Sequence, residues 1–299
     1  MRITRKNILI TLLVVFIMPL TSLSADMLKT NGGRIFVYDN GNGIARIHTY
    51  MSPFKAAANT SSIIELKDRL VIVDMQFVDV FAKEFRSYAD SLGKPIDRIY
   101  LSHEHPDHWM GSIAFQDVRV HALQGVIDFV RQNGETILKK KGKPGKVPNF
   151  GNAVTAGKEM IGGLTFEFAT YKNAESADAL VIALPELKTL IAQDLLYSNT
   201  HLYLGQDSFD LWIAALETMK KNYGDYEWFI PGHGEPQTTT GLIDDNIVYL
   251  HEADKAFDIA GSDLKKIQEH LYGRFPDLKA RFFVPFSVGI ALKNPNQHK

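Results

Sequence analysis

The segment Ser102-His103-Glu104-His105-Pro106-Asp107-His108 places three histidines and one aspartate within six residues, and nothing else in the chain restricts its fold as strongly. It follows directly on Ile96–Leu101, an apolar run that reads as a strand. In extended backbone, side chains two apart point the same way, so His103 and His105 share a direction. Asp107 and His108 can then turn toward a second point a few ångströms away. The chain has no cysteine, so any metal must be held by imidazole nitrogen and carboxylate oxygen, both of which zinc accepts. A helical metalloprotease motif would need a histidine where Asp107 stands, and Pro106 would interrupt its helix. A zinc deaminase motif needs a downstream pair of cysteines.

Composition removes other classes. Of 299 residues, 33 are Lys or Arg and 34 are Asp or Glu, a formal charge of -1, without the basic footprint of a nucleic-acid binder. The densest basic run, Lys139-Lys140-Lys141 with Lys143 and Lys146, reads as a solvated loop. Arg2, Arg5 and Lys6 precede an apolar stretch from Ile8 to Leu20, and small residues follow up to Ala25. This is the pattern of a secretory signal peptide over 1–25, cleaved near Ala25. The apolar stretch is shorter than the ~20 residues of a spanning helix, so the expected location is the periplasm or the medium, with no membrane contact after cleavage. Without cysteine, neither a lipid anchor at that site nor a disulfide is available.

The mature chain alternates strand-like and helix-like segments. Strands are predicted at Ser61–Leu66, Leu70–Met75, Ile96–Leu101, Val118–Leu123, Leu164–Thr170, Ala179–Leu184, Thr189–Ala192 and Glu227–Ile230. Helices are predicted at Val80–Leu92, ended by Gly93 and Pro95, at about Gln124–Lys140, at Phe209–Lys221, and over most of Leu242–Tyr272 with a break at Gly261. Gly142–Gly157, rich in Gly, Pro and Asn, reads as a mid-chain crossover. The interleaving predicts a layered α/β protein with helices outside.

The H-x-H-x-D-H pattern after a strand resembles the signature of the metallo-β-lactamase superfamily, and the resemblance runs roughly from Ile35 to Pro236. Val71-Ile72-Val73-Asp74 is similar to the family's early strand, whose Asp supports the site. Leu190-Ile191-Ala192-Gln193-Asp194 is similar to its strand ending in a metal-bridging Asp, and Pro231-Gly232-His233-Gly234 to its final metal histidine. The resemblance implies an αββα four-layer sandwich for 26–240, with the metals at one edge of the sheets and 241–299 as a helical extension packed on the same domain. The family's usual histidine about twenty residues before the bridging Asp is missing, and Glu175 stands there instead. Zinc accepts that carboxylate, and alkylsulfatases of the superfamily are similar in using Glu. Asp178 is the alternative ligand. The implied set is His103, His105 and Glu175 for one zinc ion, Asp107, His108 and His233 for a second, and Asp194 between them.

The implied activity is hydrolysis of a small-molecule ester, lactone, amide or related bond by water that two Zn2+ ions activate, with Asp107 moving the proton. Sulfate esters are prompted by Glu175. β-Lactams are the third candidate, although β-lactamases of the superfamily normally keep the missing histidine. A mononuclear iron dioxygenase and a metal-binding protein without turnover are the other classes. Asp74 is a candidate support for a ligand histidine. His201 is a candidate substrate contact or a packed loop histidine, and Trp109, Phe77, Tyr203 and Trp212 are candidate pocket walls. His48, His121, His251, His270 and His298 read as structural or surface groups.

Overall fold

The apolar runs pair into two sheets. The structure is a computed structural model that describes residues 32–142, 145–205 and 208–293, and the backbone of 22–27. The first sheet holds, in spatial order, β1 (Ser22–Met27), β2 (Arg34–Asp39), β3 (Arg46–Met51), β4 (Thr60–Glu65), β5 (Leu70–Val73), β6 (Ile96–Tyr100), β7 (Val120–Leu123) and β8 (Phe150–Val154). The second holds β9 (Gly157–Ile161), β10 (Leu164–Lys172), β11 (Asp178–Leu184), β12 (Thr189–Tyr197) and β13 (Trp228–His233). The helices are α1 (Asp79–Ser91), α2 (Pro106–Trp109), α3 (Gln124–Lys140), α4 (Phe209–Tyr223), α5 (Gly241–Ala260), α6 (Leu264–Arg274) and α7 (Phe283–Ala291).

Side chains along the second sheet alternate between two apolar clusters, as the two-residue period of a strand requires. Leu180, Ile182 and Leu184 of β11 join one apolar cluster, shared with β2 to β7, α1 and α3. Their neighbours Ala179, Val181 and Ala183 join another, shared with α4, α5, α6 and α7. Ile191 against Leu190 and Ala192 in β12, and Trp228 and Ile230 against Phe229 in β13, divide the same way. The first cluster therefore joins the two sheets to each other and to α1 and α3, and the second lies under the helices that cover the second sheet, which makes the expected αββα sandwich. Both faces of these strands are buried, so their sequences read as unbroken apolar runs.

Strand direction gathers the polar residues. β5 and β6 are parallel, so both end at one edge of the first sheet. β12 and β13 are parallel and end at one edge of the second. β11 runs antiparallel to β12, so the β10–β11 turn arrives there as well. Asp74, the 102–108 segment, Glu175, Asp194 and His233 all sit at these ends.

The structure adds β2, β3, β9 and α7, which the sequence pattern did not announce, and corrects the crossover, since Gly142–Gly157 contains β8. The signal-peptide reading falls mostly on residues 1–21, outside the described residues; Ser22–Met27 pair with β2 along the sheet edge. Among the described residues no helix is long and apolar enough to cross a membrane.

Phe85 on α1 is fully buried, with ring centroids 5.7 Å from Tyr50 and 6.0 Å from Phe115. Phe85→Ala should cost about 3–5 kcal/mol in urea unfolding, the usual penalty for emptying a core phenyl site. A loss under about 1 kcal/mol would show that this face of α1 does not pack as described.

Candidate metal centre

β5 ends at Val73, and Asp74 takes a left-handed backbone, φ 61°. Gln193 does the same at φ 48°. Such angles strain a non-glycine residue by on the order of 1 kcal/mol and persist where surroundings impose them. Here they aim side chains inward. Asp74, fully buried, accepts hydrogen bonds from the Ser102 amide at 2.8 Å, the Ser102 hydroxyl at 2.7 Å and the Gln193 amide. It also accepts from Nδ1 of His108 at 2.7 Å. The Ser102 hydroxyl in turn lies 2.8 Å from Nδ1 of His103. One carboxylate thus fixes two imidazoles and leaves Nε2 of each for the centre, as supports of metal histidines do. His233 is held by its Nδ1, 2.8 Å from the carbonyl of Ala57.

The seven residues singled out from the sequence come together in two groups. His103, His105, Glu175 and Asp194 form one, and Asp107, His108, Asp194 and His233 the other; within each, the donor atoms lie within 4.8 Å of one another. Asp194 belongs to both. In the first group His103 Nε2 is 3.7 Å from Glu175 and from Asp194, and His105 Nδ1 is 3.3 Å from Glu175. In the second, Nε2 of His108 is 3.0 Å from Asp194 and 3.6 Å from Asp107, while Nε2 of His233 is 3.2 Å and 3.3 Å from the same two. Four ligands at ~2.1 Å around a tetrahedral ion stand roughly 3.4 Å apart, so these separations suit zinc. His103 Nε2 and Glu175 Oε2 are buried with no hydrogen-bond partner, and His108 Nε2 and Asp194 Oδ1 are buried against each other as an ion pair at 3.0 Å. Orphaned buried donors and acceptors are expensive, and a cation would satisfy all four.

Charge points the same way. Asp74, Glu175 and Asp194 are buried and Asp107 is nearly so, yet among the described residues no lysine or arginine pairs with any of them. Without an ion, protons compensate. Burial acts to lower His105, but the Glu175 carboxylate overrides it and lifts the imidazole to about 9. His233 rises to about 10 and His108 well above its usual range, since Asp194 and Asp107 outweigh burial. Burial pushes Glu175 up to about 8 in spite of His105. His103 falls well below its usual value through burial and its imidazole neighbours. Burial opposes the ionisation of Asp107 and Asp194, but His108 and His233 hold both below the usual carboxylate range.

Glu175, and not Asp178, is the carboxylate grouped with His103, His105 and Asp194. Asp178 starts β11, half-buried, 3.6 Å from Lys172. Three other candidates, His201, Trp109 and Trp212, lie outside the cavity lining. His201 is fully buried, with Nδ1 2.9 Å from the Tyr249 hydroxyl and its ring against Tyr272, so it packs under the helices, and burial lowers it to about 4. Trp109 and Trp212 are core, each indole donating to a backbone carbonyl, of Glu104 and Leu195. Phe77 and Tyr203 do line a 420 Å³ cavity above the donors, together with Phe282, Phe283 and Phe286 of the α7 region. Lys141 also lines it, so the basic run closes α3 and reaches the cavity instead of forming a free loop. Tyr197 was missed: its hydroxyl lies 3.1 Å from Asp194 and 3.3 Å from Glu175, within reach to donate its one proton to either, and its ring stacks on His233 at 5.0 Å. Its place three residues after Asp194 was the available signal.

The proton shifts predict how the metal-free chain responds to pH. His105, His233 and Glu175 bind protons more tightly folded than unfolded. Their contribution is complete below the unfolded values and is lost as pH rises through about 8, 9 and 10. His103, lowered, acts only below its ordinary value and does not alter the sign in that window. The chelator-treated protein should therefore lose thermal stability steadily from neutral pH to pH about 10, and zinc should restore more stability at the alkaline end. Melting curves with and without zinc across that range check this; a metal-free Tm that rises with pH would contradict the site's charge balance.

Sequence and structural likeness agree with this geometry. A sequence model described as the metallo-beta-lactamase superfamily matches residues 56–233. The chain is 25% identical over 245 residues to a linear primary-alkylsulfatase from a Pseudomonas species, covering 64% of this chain and 45% of that protein, less than half of its length. It is 21% identical over 253 residues to the type 2 metallo-beta-lactamase of Bacillus cereus, covering 80% of this chain and 91% of the other. Among solved structures, a metallo-beta-lactamase from Pontibacter korlensis superposes with a TM-score of 0.56 at 18% identity, over 77% of this chain and 99% of that one. One from Hirschia baltica gives 0.51 at 21%, over 72% and 97%. At such identity the superpositions speak for the fold. The sequence match extends over more than half of the chain and takes in the whole donor constellation, and on that ground the chain belongs to the metallo-β-lactamase superfamily.

Proposed function

We propose that this protein is an exported, zinc-dependent hydrolase of small-molecule esters, lactones, amides or related bonds. The observation that carries this is the pair of donor groups joined through Asp194 on the floor of a cavity. His103, His105 and Glu175 would hold one zinc ion and Asp107, His108 and His233 a second, with Asp194 between them. Bound zinc would supply Lewis acidity and bring the pKa of a water down toward neutrality.

The chain's own groups supply the rest. Asp107 is the carboxylate that reaches furthest into the open cavity, its side chain 22% exposed, and it is placed to take a proton from water and return it to the leaving group. Tyr197 donates its one hydroxyl proton to Asp194 or Glu175, which helps orient the carboxylate it bonds. Phe283 packs on His233 at 5.0 Å and on Tyr197 at 6.1 Å, closing the site's flank to water. Ser102 is not a nucleophile: it is buried and already engaged with Asp74 and His103.

Glu175 favours sulfate-ester hydrolysis as the second reading, supported by the likeness to an alkylsulfatase. Elemental analysis of the purified protein, with a panel of chromogenic esters, lactones, sulfates and β-lactams, separates the two. About two zinc ions per chain are expected. Glu175→Ala should lose about one of them and lower activity by more than ~100-fold, beyond the ~10–100-fold typical of supporting contacts. Asp178→Ala should match the parent in both. Full zinc content and full turnover in Glu175→Ala would remove Glu175 from the site, and one tightly bound iron without zinc would sink the hydrolytic proposal.

A further inference from the structure

One wall of the cavity is built by residues with no part in holding a metal. Phe282, Phe283 and Phe286 belong to the α7 region, outside the 56–233 span shared with the family. Among the described residues only three phenylalanines are exposed, Phe129, Phe282 and Phe286, and two of these flank this one cavity, 46% and 55% exposed. They are four residues apart and so share a helix face. Two aromatic tracks lead from the donor histidines to the surface. His105 meets Tyr203 at 5.2 Å, and Tyr203 meets Phe286 at 6.0 Å. His233 meets Phe283 at 5.0 Å, and Phe283 meets Phe282 at 4.9 Å. Polar groups thus gather on the floor, at the reacting end, and apolar rings on the wall above it.

We propose that Phe282 and Phe286 bind the non-reacting apolar part of the substrate, an alkyl chain or aryl ring, and so make the enzyme selective for amphiphilic esters over short ones. This deepens the hydrolytic proposal and rests on it for the reacting end. A 420 Å³ cavity lies in the range of small-ligand pockets, and it is continuous with the donor cluster, so a chain anchored at the wall keeps its reacting bond over the floor. Burying each methylene is worth about fourfold in kcat/KM when the contact persists in the transition state.

Two measurements test this on the full zinc-loaded chain. The first is kcat/KM for p-nitrophenyl acetate, butyrate and octanoate. It should climb along the series. In the Phe282→Ala/Phe286→Ala variant the octanoate-to-acetate ratio should fall by on the order of tenfold or more, while acetate itself stays close to the parent. Leu at both positions should restore most of the ratio. The second needs no turnover: displacement of the neutral fluorophore N-phenyl-1-naphthylamine by 1-octanol, with ethanol as the control, on zinc-loaded and metal-free protein. Octanol should displace the dye from the parent and do so on the order of tenfold more weakly in the alanine variant. If no ester reacts but octanol binding depends on the two phenyl rings, the wall stands and the hydrolytic proposal fails. If octanol fails to bind, or binds the alanine variant as well as the parent, the aromatic wall is not the recognition surface.

Discussion

Buried carboxylates without a permanent cation are the constraint around which this molecule is arranged. Asp74, Glu175 and Asp194 are removed from water, and Asp107 nearly so, and among the described residues no lysine or arginine pairs with any of them. Burying such charge is costly unless it is paired and hydrogen-bonded. Four histidines stand within the donor groups to supply positive charge, and three of them shift upward. A cation held there would neutralise the carboxylates and occupy the orphaned nitrogens and oxygens at once. The same electrostatics would couple folding to the binding of a cation.

The fold's task is to bring those groups to one place and keep them there. Two parallel strand pairs, β5 with β6 and β12 with β13, end along adjoining sheet edges. Asp74 ties the two sheets together, bonding Ser102 and His108 from the first and Gln193 from the second. Close packing makes some positions intolerant. A Cβ at Gly232 would lie 1.6 Å from Asp194 Oδ1, and one at Gly234 would lie 1.7 Å from the Ser198 carbonyl, so glycine is required beside His233. The helical extension then finishes the site: α7 sets Phe283 against His233 and turns Phe282 and Phe286 to the cavity.

What was readable in the chain was local. His103, His105, Asp107 and His108 sit within six residues, and a strand followed by a tight turn needs no tertiary information to concentrate them. The central strands were legible because burial on both faces makes them uninterrupted apolar runs. β9 was not, because Gly157–Ile161 is an exposed edge with a single buried residue, and β8 contains glycine and asparagine. In β3 a buried histidine, His48, is made tolerable only by Glu65 on the neighbouring strand and Tyr88 on α1, partners that sequence spacing cannot show. α7 carries proline and glycine and is apolar nearly all round, so it lacks an amphipathic period.

The sequence by itself therefore determined the cluster of candidate metal donors, the absence of cysteine ligands and the layered α/β class, since these depend on residue type and short-range spacing. The tertiary structure decided which carboxylate completes the first group, because Glu175 and Asp178 differ only in where the β10–β11 turn leaves them: one buried beside His105, the other facing Lys172. It decided that His201 and Trp109 are core and that Tyr197 is part of the site. It also decided that three phenylalanines some fifty residues beyond His233 stand over the donors. Those assignments depend on long-range packing, where residues distant along the chain become neighbours only after the two sheets and their covering helices have closed on one another.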